Sequence, residues 1–296
     1  MNEKVKQRIK LFKEGLSIQE ISEITGDNYK TVEGTARYYR ESGLTVNKKQ
    51  TNFSDHYYFD EINTEKKAYL LGFFLADGCI DGSKTKGGLY CNRLTINNSV
   101  DDLEIIKEFH SEICSKSKVC FKNYQKGVIF RKEQCSIRWS SEHMTTSLIN
   151  KYNFCRRKAY NQDFEFPFET IPENLHRHFI RGFFDGDGSV DFKLMLTKNG
   201  VETSRFQYGF LCNSFKFAKQ ISDIICNLSE GVTGTITEIT GKTTKWYVLR
   251  FNTYKINSVE KRYKFYEWLY KDSNIYLCRK KSKFDSFFEY RGKQIV

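Results

Sequence analysis

The sequence predicts an α+β protein of two duplicated halves behind a small all-helical unit, and three observations carry that prediction. First, Ala68–Gly78 (AYLLGFFLADG) recurs as His178–Gly188 (HFIRGFFDGDG), so that Gly72, Phe73, Phe74, Asp77, Gly78 and Asp81 return as Gly182, Phe183, Phe184, Asp187, Gly188 and Asp191. Second, later anchors keep their order: Asn98-Ser99 is echoed by Asn213-Ser214, Ile137-Arg138-Trp139 by Leu249-Arg250-Phe251, and Cys155 to Lys158 by Cys278 to Lys281. A whole unit of about 100 residues is therefore duplicated. Third, residues 1–44 differ in character from the rest, with short helical faces in place of strands.

Taken in order, Val5, Ile9, Leu11 and Phe12 form the face of a first helix, and Ile18, Ile21 and Ile24 that of a second, capped by Ser17. A turn at Gly26-Asp27-Asn28 leads into a third helix from about Tyr29 to Arg40. Residues 1–44 thus resemble a helix-turn-helix DNA-binding domain, with Tyr29, Lys30, Thr31, Gly34 and Arg37 on the recognition helix. A polar linker, 45–60, follows. The first half, 61–158, reads as the motif helix, strands near 79–84 and 88–97, a helix near 100–114, strands near 118–124 and 128–140, and a helix near 142–151. That order is αββαββα. A second linker, 159–174, holds both prolines, Pro167 and Pro172. The second half, 175–296, repeats the order with strands near 189–197, 204–212, 232–240 and 244–252 and helices near 215–228 and 256–270. Alternation in Leu94-Thr95-Ile96 and in Trp246 to Phe251 leaves one sheet face polar.

The chemistry is concentrated where the two motif helices end. Gly72 with Ala76, and Gly182 with Gly186, present small residues one turn apart, so two such helices can pack closely. Gly78 and Gly188 read as left-handed helix stops. Asp77 and Asp187 then meet at the negative ends of two helix dipoles, a placement that a hard divalent cation would neutralise. Both are read as metal ligands. Asp185 has Leu75 as its counterpart and is accessory at most. Asp81 and Asp191 read as structural turn residues.

These residues resemble the paired motifs of the LAGLIDADG homing endonucleases in their single-chain, two-motif form, over most of residues 61–290. The match is closest at Gly72, Asp77, Gly78, Gly182, Asp187 and Gly188. Leu71 and Arg181 stand where the family name has Ala. The resemblance implies two pseudo-symmetric αββαββα halves with antiparallel, saddle-shaped sheets on duplex DNA, and a metal site for Mg²⁺ or Mn²⁺ made by the motif aspartates Asp77 and Asp187 together with Gly78 and Gly188. It also implies short 3′ overhangs. It points to Asn98 and Asn213 as water-orienting residues, where Gln is more usual, and to Lys158 and Lys281 as basic residues that help stabilise charge at the scissile phosphate.

Composition agrees with a polyanionic partner. The chain has 296 residues, a formal net charge of +12 and 16% aromatic content, enough for an ample core. Candidate DNA-facing side chains are Lys84, Lys86, Arg93, Lys193, Lys198, Arg205 and Gln207. The nine cysteines show no zinc spacing and read as reduced thiols. His176 and His178 are expected to contact backbone or DNA. With no leader or membrane span legible, the expected setting is cytoplasmic, in a bacterial, phage or organellar host, and the expected state monomeric.

The expected function is site-specific, metal-dependent cleavage of double-stranded DNA at a long site. The rivals are a non-cleaving regulator or RNA-splicing maturase on the same scaffold, and a recombinase-like nuclease that would need Asp185 as a third acid.

Overall fold

The computed structural model describes residues 3–14, 16–41, 55–115, 117–122, 125–126, 129–130, 133–228, 232, 234–241, 243–251 and 258–293. Of the expected linker at 45–60, residues 45–54 lie outside them. The chain divides into two compact units, 1–53 and 54–296.

In the first unit, α1 (Glu3–Lys13), α2 (Ile18–Thr25) and α3 (Tyr29–Glu41) close over Phe12, Ile18, Ile21, Val32 and Ala36. Ser17 starts α2 with a capping box, its hydroxyl taking the Glu20 amide while the Glu20 carboxylate takes the Ser17 amide. Gly26, at φ +68, ends α2 in the left-handed region that a side chain would strain. A half-enclosed ion pair locks the bundle: Arg8 Nε lies 2.8 Å from Asp27 Oδ2, and its Nη1 3.0 Å from Thr35 Oγ1. That guanidinium holds Asp27 below the usual carboxylate range. Tyr29, Lys30, Thr31 and Gly34 lie exposed on α3.

The second unit begins with α4 (Glu65–Asp77), which runs straight into β1 (Gly78–Ile80) and then β2 (Arg93–Ser99). There follow α5 (Leu103–Glu112), β3 (Cys120–Lys122), the short pair β4 (Gln125–Lys126) and β5 (Ile129–Phe130), β6 (Gln134–Ser140) and α6 (Glu142–Tyr152). The second half repeats this with α7 (His176–Asp187), β7 (Gly188–Leu196), β8 (Glu202–Cys212), α8 (Phe215–Leu228), β9 (Thr235–Thr240), β10 (Lys245–Arg250) and α9 (Ser258–Tyr270). A last helix, α10 (Cys278–Lys293), was not expected from the sequence. The two antiparallel sheets have matching orders, β1-β2-β6-β3 and β7-β8-β10-β9.

Two expectations need correction. The first-half strands are shorter than their 79–84 and 88–97 spans, because the glycine-rich segment between Ile80 and Arg93 forms a loop closed by a single bridge between Lys84 and Tyr90. The segment 159–174 joins the halves, but as part of the core: Phe164, Phe166, Phe168 and Ile171 are buried, with Phe166 stacked on Phe179 at 4.0 Å. Both sheets bury one face under helices, Leu94, Ile96, Ile137 and Trp139 in one half and Phe206, Tyr208, Phe210 and Leu249 in the other.

Candidate active site

The helices α4 and α7 touch backbone to backbone. A Cβ on Gly72 would sit 2.0 Å from the Phe179 carbonyl oxygen, and one on Gly182 would sit 2.0 Å from that of Tyr69. Only hydrogen fits at that crossing. A Cβ at Gly186 would stand 2.3 Å from Ala76 Cβ and 3.2 Å from Asp77 Oδ2, so the Asp77 carboxylate lies against the turn that carries Asp187. The duplicated acids are thereby brought to one centre.

Gly78 and Gly188 are not left-handed stops. Their φ values are −73° and −84°, and each helix passes directly into a strand. Glycine is required there because a Cβ would meet the ring of Phe74 or Phe184 at 2.4 Å. The Gly188 carbonyl, expected at the metal site, already accepts from Lys280 Nζ at 2.6 Å.

Both carboxylates are half-buried, and burial raises their pKa values. Asp187 is pushed up to about 7, with the neighbouring Asp77 charge adding to the effect of burial and Lys158 and Lys280 opposing it. Asp77 Oδ2 accepts from Asn98 Nδ2 at 3.2 Å. Asp187 has no hydrogen bond or ion pair among the described residues, and it lines a cavity of about 320 Å³ with Lys158, Asn161 and Asn213.

A lysine closes the carboxyl end of each motif helix. Lys158 Nζ donates to the carbonyls of Leu75, at 2.8 Å, and Ala76. Lys280 Nζ donates to those of Phe184 and Asp185 at 2.6 Å and Gly186 at 3.3 Å, besides Gly188. Each satisfies carbonyls that the helix leaves without partners. Burial lowers the pKa of both lysines, that of Lys280 to about 8, while nearby aspartates hold them up.

Lys281, the residue expected from the sequence, stands elsewhere. It pairs with Asp285 at 3.2 Å and rests over the rings of Tyr266 and Tyr276. The register differs because Arg157 takes a positive φ of 59° ahead of a short 3₁₀ turn, whereas Lys280 lies in the first turn of α10. Asn213 also departs from expectation: its Nδ2 donates to the carbonyls of Lys158 (2.7 Å) and Asn161 (3.0 Å), so it braces the linker and leaves Asp187 alone. Asp185 is fully buried, taking hydrogen bonds from Tyr69 Oη at 2.7 Å and the Leu277 amide at 2.8 Å. It cannot serve as a third acid.

The donor set suits a hard divalent cation. Two carboxylates converge on helix ends, burial disfavours their charge, and one is unpaired, so a cation held by Asp77 and Asp187 would relieve the pair. No group of three or more His, Cys, Asp or Glu side chains with metal-binding geometry occurs among the described residues, leaving further positions to water or phosphate oxygens.

The outer sheet faces carry the remaining candidates. Arg93 lies 3.6 Å from Asp81, and Arg205 lies 2.6 Å from Asp191 with Lys193 at 3.7 Å, so these cations already share two aspartates. Asp81 does make a turn, accepting from the Ser83 amide, whereas Asp191 lies within β7 and not in the expected turn. Lys84 lies over the Tyr90 ring, and Lys86 and Lys198 are exposed in the loops. Gln207 is half-buried on β8. The sequence reading missed Arg138 and Arg250. They occupy equivalent places, opposite Thr95 and Gly209, and both are exposed with no hydrogen bond or ion pair among the described residues. The repeat already displayed them. His176 does contact backbone, at the carbonyls of Phe168 and Ile171. Among the described residues no helix is long and apolar enough to cross a membrane.

No family model and no curated protein matches the chain. Among solved structures it is similar to the meganuclease I-SmaMI bound to uncleavable DNA, with 13% identity over 79% of this chain and 91% of that one and a TM-score of 0.48. It is also similar to the LAGLIDADG homing endonuclease I-LtrWI bound to target DNA, with 12% identity over 77% and 91% of the chains and a TM-score of 0.48. For I-DmoI in complex with DNA and Ca the values are 16% identity, 69% and 90% coverage and a TM-score of 0.40. At these identities the likeness is one of chain path, and the case for function rests on the site itself.

Proposed function

We propose that this chain is a LAGLIDADG-type endonuclease that uses divalent metal to cut both strands of a specific DNA duplex. The observation that carries the reading is the meeting of Asp77 and Asp187, one from each duplicated half, at a solvent-reachable centre flanked by Lys158 and Lys280. Two equivalent acids suit two equivalent cuts.

Asp77 and Asp187 would hold the cation, which supplies a lowered water pKa and charge stabilisation at the phosphate. The protein's own part is orientation. Asn98 fixes one Asp77 oxygen, and the carbonyls at the ends of α4 and α7 hold the Lys158 and Lys280 ammonium groups in place. Fixed ammonium groups can stabilise developing phosphorane charge without reorganising. Arg138 and Arg250, exposed on the outer faces of the sheets and without an ion pair among the described residues, would meet nucleic acid. The helix-turn-helix-like unit, with Tyr29, Lys30 and Thr31 exposed on α3, would add a second DNA contact.

The test is cleavage of plasmids carrying the DNA that flanks this gene, with Mg²⁺ or Mn²⁺ against chelator. Double-strand cuts that require metal and vanish in both Asp77→Asn and Asp187→Asn are expected. Binding without any cut would instead support the regulator reading.

A further inference from the structure

The strand registers align the outer faces of the two sheets residue by residue. Gly78 pairs with Ile96 as Gly188 pairs with Phe210, and Ile137 and Leu249 follow in the next strands. On the outer faces this makes Thr95–Arg138 equivalent to Gly209–Arg250, and Asn97–Ser136 equivalent to Leu211–Val248. The first comparison preserves an arginine. The second exchanges two polar side chains for two apolar ones.

Arg138 and Arg250 are exposed and unpaired among the described residues, while Arg93 and Arg205 lean on aspartates. Leu211 is 40% exposed on a face turned away from the core, beside half-buried Val248, and it lines the same cavity as Asp187. A guanidinium fork fits the O6 and N7 acceptors of guanine, and a branched apolar pair fits the 5-methyl group of thymine. The asparagine and serine of the other half offer no such surface.

Resting on the endonuclease reading, we infer that the two half-sites of the target share a guanine and differ by a thymine: Arg138 and Arg250 read equivalent guanines, while Leu211 and Val248 pack on a thymine methyl in the second half alone. The two rows lie two residues apart, about 7 Å along a strand, which corresponds to about two base pairs. The thymine therefore stands about two base pairs inside its guanine.

The experiment selects duplexes bound by the full chain, in chelator, from a randomised pool. The enriched duplex should carry guanines at equal offsets from its centre and a thymine inside only one of them. Replacing either guanine by 7-deazaguanine should weaken binding by roughly 5- to 100-fold. Replacing that thymine by deoxyuridine, which removes only the methyl, should weaken it about fourfold. The same change at the matched position of the other half should do nothing. Arg250→Gln should relax guanine preference only in the half that carries the thymine. Neutral base replacements overturn the inference, as does an Arg250→Gln variant that loses affinity for all duplexes alike, the signature of a phosphate contact. A pool in which no sequence is enriched would instead overturn the endonuclease reading together with this one.

Discussion

Lys280 reaches the same place on α7 that Lys158 reaches on α4, its ammonium closing the last carbonyls of the helix one residue before the acid. Lys281 points instead to Asp285. Lys280→Met should therefore reduce cleavage about 100-fold or more, as loss of a preorganised charge at the transition state does, with duplex binding largely retained. Lys281→Met should cut at close to the parental rate. Single-turnover cleavage and filter binding on the two variants give the comparison, and equal loss in both would return the role to the whole basic cluster.

The crossing of α4 and α7 admits no side chain at Gly72 or Gly182, where a Cβ would collide with backbone oxygens that cannot move aside. Gly182→Ala should cost about 3 kcal/mol or more, at the upper end of overpacking penalties. Gly34→Ala is the control, since a Cβ there meets nothing and removes a flexible residue from a helix. Urea denaturation of both variants should show a large loss for the first and a small gain for the second.

The duplication made the acids and the helix crossing legible, because both need matched residues at fixed spacing and the two motifs supplied them. What stayed hidden depends on backbone that the repeat does not share. Arg157 adopts a positive φ and Arg279 does not, so identical-looking basic clusters present different residues to the site. Asp-Gly at a helix end ordinarily marks a left-handed stop, but the Phe74 and Phe184 rings claim the space over Gly78 and Gly188 in extended backbone. Arg138 and Arg250 were visible as repeat anchors, yet only strand register shows that they face outward.

Arg181 stands where α4 has Leu71 and is fully buried. Its guanidinium donates to Glu65 Oε1 at 2.6 Å, the Leu269 carbonyl at 2.8 Å and the Ile275 carbonyl at 2.9 Å, tying the start of α4 to α7 and to the turn before α10. Arg181→Met leaves two carbonyls without their donor and takes the cation from Glu65, which keeps its hydrogen bonds from Asn274, so a loss of about 3 kcal/mol is expected. The double variant Arg181→Met/Glu65→Gln should recover part of that loss. A double-mutant cycle by urea denaturation measures the coupling.

Asp187 links the stability of the protein to its proposed chemistry. Its pKa rises from the ordinary carboxylate range to about 7 in the folded chain, so the folded state binds the proton more tightly than the unfolded state does. The stability this contributes is complete below about pH 4 and is lost as pH climbs through about 7, where the folded carboxylate must ionise beside Asp77. Asp187→Asn removes the linkage. Its unfolding free energy should depend less on pH, and at pH 8 it should exceed that of the parent by about 2–4 kcal/mol. Mg²⁺ should raise the parent's stability at pH 8, because a cation bound only by the folded state draws the equilibrium toward it. The variant should respond weakly or not at all. A parent indifferent to Mg²⁺ at pH 8, with a steep pH profile retained in Asp187→Asn, would place both the proton and the cation elsewhere.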